Sequence, residues 1–531
     1  LGRVLGVKKR VVEETSPFHH YSDMSVKFSL PLLPSEGGTN TMEEIEKLAI
    51  DNIQNIVYQA DAELLAKWIP VICSALNLDR VGECLIVGYS QYALGDHEGL
   101  KATLRLLEVA KSDSKYSDIL AFETGLLKCK NEFNFGNFDQ VDSLITELPE
   151  ITEFPFNRAN VLFSKSRTGL ATSFYLQERE KFQEIFSKFE ERLTGDFGSI
   201  AHYHTNSIKS MHSFLNGRYL EANEYALAAL KLSEDLKISG AYSPFEAAYV
   251  LADTYLEFGE DRKSLEISEK FFQQAIKFNQ YPWITAFAAK LSLIELQKGN
   301  ISGALAFIRK GREAVHGSFF SSLLSFPLDH HELLIRLPLG DFERIGEILF
   351  RLPDIELTRN LKSMLEFFQN PKSASLVLSN LPDFTDQDKF RRESFLALLN
   401  VGNKPLAIQH LNSAIELAIP NGYFRAFLNM PPEVKNILLD IAAEKPSIYL
   451  EKLSHAIRQQ SSGTIDSQKA LTKRELDILR RLGTNSPIKK IAESLHISNN
   501  TIKTHLKNLY RKLGVESREE AVARGKELSL L

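Results

Sequence analysis

Stretches such as GRYLEANEYALAALKLSE, residues 217–234, decide the fold of this chain. Gly217 can adopt the left-handed backbone conformation that follows a helix, because it has no Cβ atom to clash. The residues after it carry apolar side chains at spacings of three and four, the period of an amphipathic helix. The stretch therefore predicts a tight turn followed by the second helix of a hairpin. GNISGALAFIRKGREAV, residues 299–315, has the same form.

The same turn signal, glycine followed by a small polar or charged residue, recurs along the chain. It occurs at Gly95, Gly136, Gly217, Gly259, Gly299, Gly340 and Gly402, with separations of 41, 81, 42, 40, 41 and 62 residues. The interval of 81 is close to two repeats, and Gln177 stands where the missing glycine would fall. Asn370 stands as an intermediate turn in the last interval. A fixed period of this kind predicts internal repeats.

A single helical hairpin cannot bury its apolar stripe alone, so successive hairpins are expected to stack into an α-solenoid. The period near 40 exceeds the ~34 residues of a regular tetratricopeptide (TPR) repeat, so the hairpins resemble degenerate, longer relatives of it. We call residues 45–457 the solenoid domain. Such arrays present a concave surface that binds a peptide, a protein or a small ligand. An array that serves only as a scaffold or a spacer is an equally favoured interpretation.

Composition and charge point to a soluble regulatory or binding protein. No apolar run is long enough to span a membrane, and three cysteines in 531 residues suit a reducing compartment, so the expected location is cytoplasmic. Residues 469–531 hold 14 Lys and Arg against 7 Asp and Glu, a balance of +7, whereas the preceding residues carry −12. An acidic body with a basic tail is typical of a chain that meets nucleic acid through the tail.

No pattern for catalysis or metal binding stands out. His202 and His204 form an HxH pair, and residues 329–332 read DHHE, but neither has the spacing of HExxH or a companion CxxC. Surface or groove-lining histidines are the preferred interpretation. No GxxxxGK[ST] loop is present, so no nucleotide site is predicted. We expect no enzyme activity, no cofactor and no metal.

The C-terminal residues predict four short helices. Residues 458–469 lack apolar periodicity and are expected to form a linker. Capping boxes at Thr472–Glu475 and Ser517–Glu520 predict the starts of the first and fourth helices. Asn485 is expected to take a left-handed turn, and Ser486 to cap the second helix with Pro487 at its first position. Expected core residues are Leu476, Leu479 and Leu482 in the first helix and Ile491, Ala492 and Leu495 in the second.

The third helix, NNTIKTHLKNLYRKLGV at residues 499–515, begins after the tight turn HISNN with Ser498 as its cap. On a helical wheel Ile502, Leu506, Leu509 and Leu513 form one narrow apolar seam. The opposite face is basic and contains no acidic residue. A solvated surface helix normally mixes both signs of charge for pairing along the helix. A short helix, a tight turn and a longer basic helix form the helix-turn-helix plan.

LTKRELDILRRL, IKKIAESLHISNNTIKTHLKNLYRKLGVESREEAV and their spacing closely resemble the LuxR-type helix-turn-helix over about sixty residues. The resemblance implies binding to double-stranded promoter DNA, with helix four assisting dimerisation on it. It implies that the residues facing base edges are Lys503, Thr504 and Lys507. It places at the DNA backbone Asn500, Thr501, Tyr510, Arg511 and Lys512. Lys490 departs from the family pattern, where glutamate is common.

AIELAIPNGYFRAFLNM, residues 414–430, resembles the segment before the linker in large MalT-like LuxR-type regulators, which join an NTPase module, a helical sensor and this DNA-binding domain. The resemblance implies an effector in the solenoid groove and RNA polymerase as a partner. The expected domains are an N-terminal extension at 1–44, for which disorder is one reading, the solenoid domain at 45–457, the linker at 458–469 and the helix-turn-helix at 470–531. The alternatives are a TPR-like interaction scaffold and the C-terminal fragment of an NTP-dependent activator.

Overall fold

The computed structural model describes most of the chain from residue 57 onward. The described residues are 57–75, 80–109, 117–148, 168–175, 178–192, 198–315, 322–339, 341–352, 385–462, 473–484 and 486–527, with 358, 359, 362, 378, 381, 383, 471 and 530. Within these ranges the regular structure is entirely helical, so the predicted all-α class is confirmed. The predicted N-terminal extension lies outside the described residues.

The helices follow one another as antiparallel pairs joined by short turns. In chain order they are α1 Ala62–Ala75, α2 Arg80–Leu94, α3 His97–Val109, α4 Ser117–Asn134, α5 Phe138–Glu147, α6 Arg179–Arg192, α7 Gly198–Leu215, α8 Tyr219–Asp235, α9 Phe245–Glu257, α10 Asp261–Lys277, α11 Tyr281–Gln297, α12 Ile301–Ala314, α13 Phe326–Leu339, α14 Phe342–Arg351, α15 Asp386–Leu399, α16 Lys404–Asn421, α17 Arg425–Leu428, α18 Pro432–Glu444, α19 Ile448–Ser462, α20 Lys473–Gly483, α21 Ile488–Ser494, α22 Asn499–Leu513 and α23 Arg518–Glu527.

The described residues form two compact units. One contains those within Leu1–Thr254 and Glu269–Ile284, and the other contains those within Tyr255–Ser268, Thr285–Ser318 and Ser322–Leu531. The first unit holds the hairpins α2–α3, α4–α5 and α7–α8. The second holds α13–α14, α15–α16 and the four C-terminal helices.

Five of the predicted turn glycines adopt the left-handed conformation, with φ between 74° and 77°: Gly95, Gly136, Gly217, Gly259 and Gly299. Each turn closes with the same two backbone hydrogen bonds. At Gly217 its own amide donates to the Phe214 carbonyl at 2.9 Å and the next amide donates to the Ser213 carbonyl at 2.8 Å. This is the Schellman arrangement, which satisfies the last carbonyls of the preceding helix.

The other four predicted turn positions are Gly402, Gly340, Gln177 and Asn370. Gly402 lies in a turn, but it is not among the residues with positive φ, so the left-handed prediction is wrong there. The α15–α16 connection is longer, and the Asn400 amide closes it by donating to the Leu396 carbonyl at 3.1 Å. Gly340, Gln177 and Asn370 lie outside the described residues.

Gly95 has a second constraint, because its backbone lies directly against another turn. A Cβ atom there would fall 2.3 Å from the carbonyl oxygen of Phe278. Next to this contact, His97 Nε2 lies 2.9 Å from the Asn279 carbonyl oxygen, and the Asn134 side-chain amide donates to the same carbonyl at 3.0 Å. Three turns of the first unit, α2–α3, α4–α5 and α10–α11, are therefore joined through one polar cluster.

The hairpin that opened the sequence analysis packs through small side chains. Ala222, Ala226 and Ala229 of α8 are fully buried at spacings of four and three. Alanine at these positions lets the backbones of α7 and α8 approach closely while removing apolar surface from water. Tyr203 of α7 is also fully buried, and its hydroxyl donates to the Tyr242 carbonyl at 2.8 Å.

The two acidic residues of the DHHE cluster at 329–332 belong to an ion-pair network. Asp329 lies 2.7 Å from both Arg312 and Arg351, and Glu332 lies 2.6 Å from Arg312. Burial opposes ionisation of Glu332, but Arg312 and its neighbouring arginines hold the pKa of that carboxyl below its ordinary value. Within the described ranges no group of three or more His, Cys, Asp or Glu is arranged to hold a metal ion.

The two histidines of the HxH pair face different environments. His202 is exposed, as expected for a surface histidine. His204 is buried, and its Nε2 lies 3.1 Å from the Tyr58 hydroxyl, so the surface or groove-lining reading is wrong for this residue. Residues two apart on a helix point in clearly different directions, which is why the pair cannot act together.

Residues 414–430, the segment that resembles MalT-like regulators, pack within the second unit. Gly422 ends α16 in the left-handed conformation with φ 79°, and Tyr423 after it is buried. Arg425 donates to the Leu256 carbonyl at 3.2 Å and pairs with Asp261. This segment therefore fastens α16 to the α9–α10 turn.

Helix α19 runs to Ser462, so the predicted linker boundary at 458 is wrong by five residues. Arginine and glutamine at 458–460 are good helix formers, and they extend the helix without needing an apolar stripe. Residues 463–470 lie outside the described residues. None of the helices that the structure describes is both long and apolar enough to cross a membrane.

Candidate nucleic-acid interface

The last four helices bury the apolar residues that the sequence pattern selected. In α20 these are Leu476, Leu479 and Leu482, and Ile478 joins them with no exposed surface. At α21 they are Ile491, Ala492 and, directly after the last residue of the helix, Leu495, all at most 8% exposed. In α22 they are Ile502, Leu506, Leu509 and Leu513, which form the predicted seam. The three stripes pack against one another and form a small core.

The turn between α21 and α22 has the same construction as the hairpin turns. His496 adopts the left-handed conformation with φ 53°, and the Ile497 amide donates to the Ala492 carbonyl at 3.0 Å. Ser498 then caps α22, because its Oγ accepts from the Thr501 amide at 3.1 Å. The predicted cap is confirmed, and it fixes where the basic helix starts relative to α21.

The start of α21 differs from the prediction. Pro487, and not Ser486, is the N-cap residue, and the Ser486 hydroxyl lies 3.0 Å from the Thr484 hydroxyl instead. The helix begins one residue later than expected because Pro487 has extended backbone angles, with ψ 141°. Asn485 lies outside the described residues.

One of the two predicted capping boxes is testable in the structure. The Glu520 amide donates to Ser517 Oγ at 3.1 Å, as expected, while its carboxylate accepts from the Glu516 amide at 2.9 Å. The hydrogen bond from the Glu516 amide, followed by one from the Ser517 side chain, stabilises the carboxylate and lowers the pKa of Glu520. The first box rests on Thr472, which lies outside the described residues. Its acid, Glu475, has a different partner.

Lys503, Thr504 and Lys507, the three residues expected at base edges, are all exposed on one side of α22. The Thr504 hydroxyl donates back to the Asn500 carbonyl at 3.1 Å, which orients its remaining lone pairs outward. No acidic residue occurs from Asn499 to Val515. The structure therefore brings the three predicted residues together on a surface that is open and free of acidic residues in its own helix.

Four of the five residues expected at the DNA backbone lie around this face. Asn500, Thr501 and Arg511 are exposed. Tyr510 is half-buried, and burial raises the pKa of its hydroxyl. Asn500 and Thr501 belong to the first turn of α22, and the end of a helix where its backbone amides point outward favours a phosphate group.

Lys512 has a different environment from the one expected. Its ammonium lies 2.6 Å from the Glu475 carboxylate, with only 12% of the Lys512 side chain and 4% of the Glu475 side chain exposed. Sequence reasoning missed this pair because its members lie 37 residues apart and Glu475 had been assigned to a helix cap. The ion pair joins α20 to α22 within the domain core.

Two arginines join α20 to its other neighbours, α21 and α23. Arg474 donates to the Leu495 carbonyl at the end of α21, and Arg518 donates to the Leu482 carbonyl at 3.0 Å. Both stand in the motifs LTKRE and ESREEAV that carry the family resemblance. Each satisfies a carbonyl near the end of a helix, where no intrahelical donor is available. Their contribution is to the geometry of the domain.

The C-terminal helices also contact α12 and α14 within the second unit. Arg480 of α20 lies 2.5 Å from the Glu343 carboxylate and 3.5 Å from that of Asp341. Arg524 of α23 donates to the Ser302 hydroxyl. These contacts lie on α20 and α23 and leave the exposed residues of α22 uncovered.

A short helix, a tight turn, a longer helix with an exposed basic face and a supporting core define a helix-turn-helix protein. A family model described as bacterial regulatory proteins, luxR family, matches residues 469–524. The probable transcriptional regulatory protein SgaR of Hyphomicrobium methylovorum is 30% identical over 159 residues, covering 29% of this chain and 70% of that protein. The chain belongs to the luxR family of bacterial regulatory proteins.

Two further relatives match different shares of the chain. The nitrate/nitrite response regulator protein NarP of Escherichia coli is 36% identical over 92 residues, 17% of this chain and 43% of NarP. The HTH-type transcriptional regulator MalT of Klebsiella pneumoniae is 28% identical over 202 residues, 36% of this chain and 21% of MalT. The chain thus spans less than half the length of either relative. The MalT match extends well beyond the helix-turn-helix.

Proposed function

We propose that this protein regulates transcription by binding promoter DNA through α22, under the control of its solenoid domain. The main support for this proposal is the exposed face of α22, which contains no acidic residue and lies opposite a buried apolar seam. B-DNA carries one negative charge per ~1.7 Å of helix axis, so a cationic helix face of this kind gains affinity from every phosphate it neutralises. The major groove admits an α-helix, which brings side chains to the base edges.

The residue roles follow from position on α22. Lys503, Thr504 and Lys507 are assigned to base edges, since all three project from the exposed side near the middle of the helix. Asn500, Thr501, Tyr510 and Arg511 are assigned to phosphates on either side of the groove. Lys512 is reassigned from phosphate contact to a role inside the domain, because its ammonium is held by Glu475.

Control by the solenoid domain is supported by the contacts of Arg480 and Arg524. Arg524 belongs to α23, the helix that the family resemblance implicates in dimerisation on DNA. While Arg524 is held by Ser302, part of α23 is engaged within the same chain. A signal received by the solenoid domain would release α23, permit a dimer and place two copies of α22 on successive half-sites.

The wider assignment follows from this role. We propose a cytoplasmic, non-enzymatic regulator with promoter DNA and RNA polymerase as its macromolecular partners and an effector in the solenoid domain. The relatives are themselves transcriptional regulators by name, which supports this assignment.

The test uses the full chain and the promoter fragments recovered by genome-wide mapping of bound DNA. Binding should weaken steeply as salt rises, because each neutralised phosphate releases counterions. Lys503→Ala should relax preference at one base position, since one good base contact contributes about 1–3 kcal/mol of discrimination. Arg511→Ala should weaken binding to all sequences alike.

Lys231→Ala is the matched control, because Lys231 is exposed on α8 and lies outside the helix-turn-helix. It should leave affinity within about twofold of the unmodified chain, as expected of a charge remote from the interface. A salt-independent affinity would contradict DNA binding through this face. A uniform loss in Lys503→Ala with unchanged site preference would contradict the base-edge assignment.

A further inference from the structure

Asn508 is half-buried on α22 and lies outside the apolar seam of that helix. Counting 100° per residue, its side chain points about 50° away from the direction opposite the seam, the same angle as for Lys507. The side chain of Lys503 points about 90° away from that direction, although Lys503 is assigned to a base edge. Asn508 is therefore directed towards the DNA no less than the residues already assigned to it.

Uncharged polar side chains form a row along α22, and Asn508 is its last member. The members follow one another at a spacing of four residues: Asn500, Thr504 and Asn508. Residues four apart lie on the same face of a helix, one above the other. The row beside it has the same spacing and is basic: Lys503, Lys507 and Arg511. α22 thus presents two parallel rows, one of cations and one of neutral hydrogen-bonding groups.

The side-chain amide of Asn508 makes no hydrogen bond to any residue in the described ranges, and its polar atoms remain accessible to water. The buried Asn134 is a contrast, because its amide donates to the Asn279 carbonyl and accepts from the Tyr281 amide. Asn508 therefore has both its donor and its acceptor available for a ligand. Its half-burial restricts the side chain, so that less rotamer entropy is lost on contact.

The chemistry of an asparagine amide favours a base edge over a phosphate. The amide carries an N–H donor and a carbonyl acceptor in one plane. A phosphate offers acceptors only, so its negative charge would face the carbonyl oxygen of the amide. In the major groove adenine presents an acceptor at N7 and a donor at N6, which matches both halves of the amide, whereas guanine presents two acceptors.

We propose that Asn508 is a further specificity-determining residue, whose amide recognises an adenine in the major groove. Its Nδ2 donates to adenine N7, and its Oδ1 accepts from adenine N6. The inference rests on the proposed function, because it requires α22 to lie in the groove. At 1.5 Å per residue Asn508 lies about 7.5 Å along α22 from Lys503, which corresponds to about two base pairs of ~3.4 Å each. The adenine should therefore lie about two base pairs from the position that Lys503→Ala relaxes.

The first experiment compares the base preferences of variants of the full chain. Each variant is equilibrated with duplexes in which the positions of a mapped binding site are randomised, and the bound duplexes are sequenced. Asn508→Ala should lose at least about fivefold of the preference for adenine at one position, the lower end for one bidentate base contact. Asn412→Ala is the matched control, because Asn412 is also half-buried but lies on α16, and it should keep every preference.

Asn508→Asp tests the amide without a change in the size of the side chain. A carboxylate has no donor for adenine N7, and it accepts from cytosine N4. The preference for adenine should disappear, and cytosine should gain relative to adenine at the same position. Circular dichroism verifies that each variant is folded.

The second experiment changes the DNA and needs no variant. Each adenine that the unmodified chain prefers is replaced in turn by 7-deazaadenine, which lacks the N7 acceptor but keeps N6 and the pairing with thymine. At one of these positions the unmodified chain should bind about threefold more weakly or worse, as for the loss of one neutral hydrogen bond. Asn508→Ala should bind the two duplexes equally. The result for the unmodified chain decides the question even if a substitution unfolds the protein.

Three results would overturn the inference. They are an intact adenine preference in folded Asn508→Ala, a change of preference at a position where the unmodified chain does not select adenine, and no effect of 7-deazaadenine at any preferred adenine. Each of them leaves DNA binding through α22 standing, because the unmodified chain still selects its site. If the unmodified chain selected no site at all, the proposed function and this inference would both be refuted.

Discussion

The ion pair between Lys512 and Glu475 allows the sharpest test of how the helix-turn-helix is built. Lys512→Ala removes the cation and leaves the Glu475 carboxylate, only 4% exposed, in the core. Losing one partner of a buried pair destabilises a protein by about 3–5 kcal/mol. We expect the lower end of that range, about 3 kcal/mol, because Lys512 retains some contact with water. This corresponds to an increase of about a hundredfold in the open population of the domain.

The assay is hydrogen exchange of the full chain, followed in peptides that span α22. Amides at the end of the apolar seam exchange through opening of the domain, so their rate reports its local stability. Lys512→Ala should speed that exchange by about a hundredfold. Arg511→Ala, one residue away and exposed, should leave it nearly unchanged.

A double variant, Lys512→Met with Glu475→Leu, should recover most of the lost protection. Replacing both members of a buried pair by apolar side chains of similar size is often neutral or stabilising. The reasoning would be refuted if Lys512→Ala left exchange in α22 unchanged while affinity for every DNA sequence fell. That outcome would return Lys512 to the phosphate contact that the family resemblance implies.

Three further perturbations test other parts of the structure. Gly95→Ala should destabilise the chain more than Gly259→Ala in thermal melts, because both glycines have left-handed φ but only the first would drive Cβ into a backbone carbonyl; equal losses would contradict the close approach. Burial lowers the pKa of His212 to about 4, so stability should be full above its ordinary value near 6.5 and fall as pH drops from 6.5 towards 4; melting curves of His212→Phe should lack that loss. Arg480→Gln should raise DNA affinity by up to about fivefold, the effect of losing a half-exposed ion pair that holds α20. Arg481→Gln should leave DNA affinity unchanged. Equal DNA affinities of the two variants would contradict the idea that Arg480 restrains the helix-turn-helix.

Features set by local backbone chemistry could be predicted from the sequence. Gly217 and its counterparts specify left-handed turns because few other residues tolerate that conformation. The seam of α22 follows from the helical period alone. Ser498 caps α22 because its hydroxyl reaches an amide only three residues away.

Features that depend on contacts distant in sequence could not be predicted. The partner of Lys512 lies in another helix, and no local pattern connects it with Glu475. The turns at Asn279 and His496 are left-handed without glycine, since packing and the two closing hydrogen bonds offset the Cβ penalty.

Asp341 is shared between two arginines, one inside the solenoid domain and one in the helix-turn-helix. Its carboxylate lies 3.3 Å from Arg336 and 3.5 Å from Arg480. Added salt therefore acts on two opposed equilibria, since it weakens both the attachment of α20 and the grip of α22 on phosphate. Loosening of α20 by salt favours DNA binding and partly offsets the loss of phosphate contacts. The salt dependence measured for the unmodified chain would therefore understate the number of phosphates contacted. Arg480→Gln lacks the ion pairs of Arg480 with Asp341 and Glu343, so its salt dependence would report that number directly.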